Sequence, residues 1–363
     1  MSAMTREVIW EQLRQGGYVE GELPARGEAR SPWFVRVMLG IAGWIGALFL
    51  LGFVGVGLAM VVKSPTASWL VGAGACASVA MLFHANRDGD FSSQFGLAVS
   101  LAGQALMVYG LTEWVGHSFA AVALGVAAQQ ALLFLLLPNF VHRVWTAWTG
   151  AYAMSFALAD MGLQAFAPAA ITAGFGVVWL KEFDDPARGA LLRAGGYGLA
   201  LAAVQTAVMH GGLWYGWIAT MGGRAPSGSV ALAWVGAVAA GAVLVGAVLL
   251  LLRREQVGLD TGPGKVALVA ATMLAIASLK APGVGPAAAI LAVGYANGNR
   301  VLAGLGIAAL IGYLSHYYYA LHATLLEKSI LMGCAGIALL AARLALRRWW
   351  PVKEEAMQEA NHA

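Results

Sequence analysis

Residues 230–254 read VALAWVGAVAAGAVLVGAVLLLLRR, which is 23 apolar or small residues followed by two arginines. A transmembrane helix needs about 20 such residues to cross a hydrocarbon core roughly 30 Å thick. The segment lacks the alternation of apolar and polar residues that is typical of a transmembrane β-strand. It therefore predicts a transmembrane α-helix whose closing arginines lie at the cytoplasmic interface.

The whole chain has the same character. Its 363 residues are 60% hydrophobic and 11% charged, whereas soluble proteins average about 25% charged residues. The 22 Lys and Arg and 18 Asp and Glu residues are too few to cover a soluble protein of this size. We therefore predict an all-α, polytopic transmembrane helical bundle. The net charge of +4 comes without a basic, aromatic-rich patch, so nucleic acid is not an expected partner.

About twelve spans are predicted from windows of apolar residues. They lie at 36–62, 67–85, 93–112, 117–137, 144–163, 165–182, 190–210, 230–252, 265–280, 283–297, 300–322 and 325–346. The ninth and tenth are the shortest pair, because a Pro-Gly-Val-Gly-Pro turn at Pro282–Pro286 interrupts them. With the N-terminus inside, 18 of the 22 Lys and Arg residues fall on the cytoplasmic side. This asymmetry predicts that both termini are cytoplasmic.

Three regions follow from this topology. Residues 1–32 form a cytoplasmic N-terminal segment, in which Thr5–Gln15 has the pattern of a short amphipathic helix. Residues 33–348 form the transmembrane bundle, and residues 349–363 form a cytoplasmic tail. The amphipathic helix either covers the cytoplasmic loops or binds a partner or the membrane surface.

An internal repeat is suggested by the third, seventh and eleventh spans. When residues 95–111 are aligned with 197–213, Gly, Leu, Ala, Ala, Met, Gly and Leu occupy the same positions. Residues 305–313 resemble the first part of this segment more weakly. This similarity favours three parallel four-helix repeats, at 36–143, 144–254 and 265–348. The alternative is chance alignment, because every membrane protein is rich in Ala, Gly and Leu.

Familiar chemical motifs are missing from the chain. It contains no Gly-rich phosphate loop, GxGxxG, HExxH, CxxC or GxSxG pattern. We therefore expect no nucleotide, cofactor or metal, and an intramembrane enzyme is the weakest of three functional hypotheses. Cys76 and Cys334 each lie alone in an apolar run, which favours a core role.

Ionisable residues within spans are costly and are mostly retained for function or for helix pairing. Together with neighbouring tyrosines, those of this chain collect near the predicted outer ends of the spans. The candidate polar cavity or partner site consists of Glu113, His117, Asp160, His210, Lys280, His316, Tyr317, Tyr318, His322, Glu327 and Lys328.

Structural roles compete with functional ones for several of these residues. Glu113 and His117 would share one helical face and could relay a proton, unless a turn separates them. Asp160 and Lys280 end equivalent spans of two repeats, so they could form an ion pair across the repeat interface. Tyrosine at the outer end of a span is commonly an interfacial anchor.

Three strings resemble a known family. They are SPWFVRVMLG at 31–40, FGLAVSLAGQALMVYGL at 95–111 and HYYYALHATLLEKS at 316–329. The chain resembles, over nearly its whole length, the bacterial inner-membrane family called domain of unknown function 4401. The resemblance implies a multi-pass protein of the bacterial inner membrane and gives Tyr317, Tyr318, Glu327 and Lys328 added weight without a mechanism. It also implies a candidate partner, a smaller membrane-anchored protein with a Gly-Asp-Tyr-x-x-Leu-x-Tyr motif.

Two functional hypotheses lead. In the first, the protein binds or moves a small solute or lipid through an outward-facing polar cavity. In the second, it does not transport, but docks a periplasmic or membrane-anchored partner as an assembly or sensing component. The first expects Glu113, His117, Asp160 and His316 to converge on a cavity, and the second expects an exposed aromatic patch. The lipid bilayer is the partner in both.

Overall fold

A computed structural model of the chain describes residues 6–17, 64–85, 90–116, 118–182, 188–210, 230–279 and 283–320, with isolated positions elsewhere. The described residues form helices and turns, without strands. The helices are α1 (Arg6–Gln15), α2 (Pro65–Ala85), α3 (Asp90–Val115), α4 (Phe119–Leu136), α5 (Phe140–Asp160), α6 (Ala167–Leu180), α7 (Gly189–His210), α8 (Val230–Arg254), α9 (Gly262–Ser278), α10 (Val284–Ala296) and α11 (Arg300–Ala320). A short 3-10 helix, Gln164–Phe166, precedes α6.

The helices α2 to α11 lie where the second to eleventh spans were predicted, and α1 lies within the segment Thr5–Gln15. Four described helical segments are long and apolar enough to cross a membrane, namely Pro65–Ala85, Ser92–Val115, Phe119–Leu136 and Ala231–Arg254. The chain therefore has the helices of a membrane protein. The first and twelfth predicted spans lie outside the residues that the structure describes continuously, so the total of twelve crossings stays a prediction.

Local signals set the helix ends. The Ser118 hydroxyl accepts the Ala121 N–H at 3.4 Å, and the Asn139 side chain accepts the His142 N–H at 3.0 Å, so side chains cap the first turns of α4 and α5. Thr261 caps α9 in the same way. Pro168 lies in the first turn of α6, where its missing N–H costs nothing.

The chain divides into two compact units, 1–114 and 115–363. In the first unit, α2 and α3 pack closely through glycines. A Cβ on Gly103 would lie 2.7 Å from the Gly72 carbonyl oxygen, so the two backbones approach too closely for larger residues. The Ser68 hydroxyl donates to the Leu106 carbonyl at 3.3 Å, and Trp69 and Trp114 lie 5.8 Å apart between ring centroids.

In the second unit, two short helices form the centre. The helix α6 has 14 residues and α10 has 13, which corresponds to about 20 Å each, against the roughly 30 Å of a hydrocarbon core. Both are largely buried and contact α7 and α8. Phe175 and Trp179 of α6 belong to the same buried cluster as Ile290 and Val293 of α10.

Candidate functional site

A cavity of about 340 Å³ lies between α7 and α11 in the second unit. Its lining is mostly apolar and small, with two polar side chains. The lining residues are Val204, Leu305, Ala308, Ala309, Gly312, Tyr313 and His316. Such a cavity can enclose an apolar group while presenting few hydrogen-bonding groups to orient it.

Tyr313 forms one wall of this cavity and joins three helices. Its hydroxyl donates to the Val204 carbonyl of α7. Its ring lies against Gly283, at the start of α10, where a Cβ would overlap the ring. The ring is buried beside Ala287 and Ala309, so small residues leave room for it. We conclude that Tyr313 is a structural wall whose hydroxyl is already engaged.

His316 lies one turn beyond Tyr313 on α11 and lines the cavity, half-buried. Among the candidate residues whose side chains the structure describes, His316 is thus the one that lines this cavity. Tyr317 and Tyr318 follow it in the last turn of α11, but their side chains lie outside the described residues. His210 ends α7, and its side chain also lies outside them.

Two acidic candidates are exposed and are not among the residues that line the cavity. Glu113 is in the last turn of α3, within the first unit. The Asp160 carboxylate accepts the Ala120 N–H at 3.0 Å. It therefore stabilises the N-terminus of α4, where backbone N–H groups have no partner within the helix and the helix dipole is positive. Asp160 thus has a structural role and lies outside the cavity lining. His117, Lys280, His322, Glu327 and Lys328 lie outside the described residues, and their roles stay predictions.

Residues 32–349 match the model of a family described as a domain of unknown function, DUF4401. The chain belongs to the DUF4401 family. No curated protein and no solved structure matches the chain. One of the strings that resemble DUF4401, residues 95–111, lies in α3, whose Gly103 and Gly110 approach α2. Of the string at 316–329, His316 lines the cavity.

Sequence reasoning missed a polar network at the opposite end of this DUF4401 protein's second unit. Glu182 begins a charged run, Glu-Phe-Asp-Asp at 182–185, whose composition is typical of a solvated loop. The Glu182 side chain is buried and accepts the Nε of Arg193 at 2.7 Å. The two residues are eleven positions apart and lie in different segments, so the pair could not be predicted from an i, i+3 or i, i+4 helical spacing.

The same end holds two further links between helices. The Tyr197 hydroxyl lies 2.8 Å from the Asn299 side-chain nitrogen, and the Asn299 oxygen accepts the Leu302 N–H at 3.0 Å. The Arg254 guanidinium donates to Asn297 at 3.0 Å. These hydrogen bonds join α7 and α8 to the α10–α11 turn and so hold the helices together at this end. The cavity lies further along α7 and α11.

Proposed function

We propose that the protein binds, and moves within the membrane, a small solute or lipid that has an apolar body and one polar group. The cavity between α7 and α11 carries this proposal, because it combines an apolar lining with His316. Its volume of about 340 Å³ suits a small ligand, since ligand pockets span about 300–1,000 Å³. The polar group of the ligand would contact His316, and its apolar body would contact Val204 and Leu305.

The short central helices support movement as well as binding. Transporters often place their sites beside short or interrupted helices that occupy corresponding positions in repeated halves. The helices α6 and α10 are short, largely buried and correspond in the second and third proposed repeats. The cavity wall at Tyr313 contacts the start of α10.

Gly312 offers a direct test. A Cβ there would meet no atom within 4 Å, so Gly312→Leu should fold while its side chain fills the cavity. We expect the purified variant to lose the small molecule or lipid that the wild type retains, measured by mass spectrometry of organic extracts. His316→Ala should weaken retention of the same species about tenfold, the equivalent of one lost hydrogen bond to a charged or polar group.

Gly304→Leu is the matched control, because Gly304 is also exposed on α11 with open space at its Cβ and does not line the cavity. It should retain the wild-type extract. Identical extracts from the wild type and both leucine variants would contradict ligand binding in the cavity.

We further propose twelve spans with both termini cytoplasmic, arranged as three repeats. The division of Lys and Arg residues supports the orientation. The pairs α2–α3, α6–α7 and α10–α11 support the repeats, because each is a packed pair in the same place of its repeat.

Reporter fusions test this topology. Alkaline phosphatase fused after Arg143 or Arg254 should be inactive, and the same reporter fused after Gly162, between α5 and α6, should be active. Phosphatase activity at Arg143 or Arg254 would refute the twelve-span orientation.

A further inference from the structure

A second cavity, of about 440 Å³, opens on the side of the second unit. It lies among α4, α5, α6 and α7, and its lining is almost entirely apolar. Ala131 and Met154 line it and are themselves exposed, so the space is a groove accessible from outside the bundle. Phe134, Leu192 and Gly195 line it further along.

Arg143 lies at one end of this groove, for a reason that the sequence explains. Four residues after Phe134 stands Pro138, which has no N–H to bond the Phe134 carbonyl within the helix. The Nε of Arg143 donates to that carbonyl instead, at 3.1 Å. Phe134 is the last groove-lining residue of α4, so the guanidinium is fixed at the groove's end.

The charge of Arg143 is available there. Within the described part of the chain, its guanidinium makes that one hydrogen bond and no ion pair. Arg193, by contrast, pairs with Glu182. The Thr146 hydroxyl in the groove wall donates to the His142 carbonyl of its own helix, so it does not make the groove polar.

We infer that this groove binds an anionic phospholipid, with one acyl chain along the groove and the phosphate at Arg143. An apolar groove open to the bilayer is filled by acyl chains. Its cationic end adds a preference for negative headgroups, because guanidinium groups pair well with phosphate oxygens and basic sites between helices bind acidic lipids. This site shares no lining residue with the His316 cavity and stands independently of the function proposed for it.

The test uses delipidated full-length protein in detergent, titrated with dioleoyl phosphatidylglycerol or dioleoyl phosphatidylcholine. Bound lipid is counted by native mass spectrometry. We expect phosphatidylglycerol to bind the wild type roughly five- to tenfold more tightly, from one added cationic contact. Glycerol 3-phosphate alone should not bind, because it lacks the acyl chain.

Two pairs of variants separate headgroup from chain. Arg143→Gln should abolish the headgroup preference, whereas Arg253→Gln, at an exposed arginine at the end of α8, should keep it. Ala131→Phe should block the groove and reduce binding of both lipids. Ala128→Phe, one turn earlier on the same helix, exposed and outside the groove, should bind as the wild type does.

Three results would overturn the inference. They are an unchanged headgroup preference in Arg143→Gln, unchanged lipid binding in Ala131→Phe, and tight binding of glycerol 3-phosphate alone. If Arg143→Gln does not fold because Phe134 loses its bond, Ala131→Phe still decides whether the groove holds a chain. Arg143→Lys, which keeps the charge, then decides the headgroup, since it should retain at least half of the preference.

Discussion

Replacing Gly294 with alanine is expected to destabilise the second unit by about 3 kcal/mol, the upper range for overpacking a core. The added Cβ would lie 2.6 Å from the Ala303 backbone nitrogen and 3.0 Å from its Cα. These are backbone atoms, so no side-chain rotation relieves the clash and α10 must move away from α11. Gly306 faces the backbone of Leu291 in the same interface, which leaves little room for adjustment.

Gly304→Ala is the control for this substitution. Gly304 lies in α11, the helix that packs against α10, and a Cβ there would meet no atom within 4 Å. Alanine should therefore stabilise it by roughly 0.5–1 kcal/mol through helix propensity. Thermal unfolding in detergent, followed by size-exclusion chromatography, measures both. Equal shifts of the two melting temperatures would contradict a close helix contact at Gly294.

The positions of the helices could be predicted because the apolar runs are long and their ends carry clear signals. Ser118 and Asn139 cap α4 and α5 with side-chain oxygens, and Pro138 separates the two helices. The limits of α9 and α10 shifted by only one to three residues from the predicted spans.

The packing of the helices could not be predicted. A helix that is apolar all round shows no face that distinguishes a lipid contact from a protein contact. Nothing in the composition of α10 therefore revealed that it is largely buried, while Val269, Met273 and Ile276 of α9 are exposed.

The candidate site could be predicted only in part, because apolar lining residues do not show which face of a helix contacts protein. His316 stood out as an imidazole in an apolar helix, and the structure places it in a cavity. The other lining residues are ordinary membrane residues such as Ala308 and Gly312, which carry no signal. Asp160 stood out equally, yet its partner is a backbone N–H forty residues earlier, which only the fold brings near.

Arg193→Gln is expected to destabilise the protein more than Glu182→Gln does, although each substitution removes one partner of the same ion pair. The Glu182 side chain is 4% exposed and that of Arg193 is 55% exposed. Arg193→Gln leaves a buried carboxylate without its cation, and breaking a buried pair in this way costs about 3–5 kcal/mol. Because water reaches the arginine and weakens the pair, we expect a smaller loss than this, about 2–3 kcal/mol.

Glu182→Gln should cost less than about 1 kcal/mol, because the amide oxygen still accepts from Arg193 and the half-exposed guanidinium is solvated. The double variant should recover most of the loss of Arg193→Gln, since no charge then remains buried. Melting temperatures of the four proteins complete a double-mutant cycle. If Glu182→Gln destabilises as much as Arg193→Gln, or the two losses simply add, the buried charge is not what Arg193 compensates. The cycle therefore separates neutralisation of Glu182 from the contacts that the stem of Arg193 makes, which a single arginine substitution would confuse.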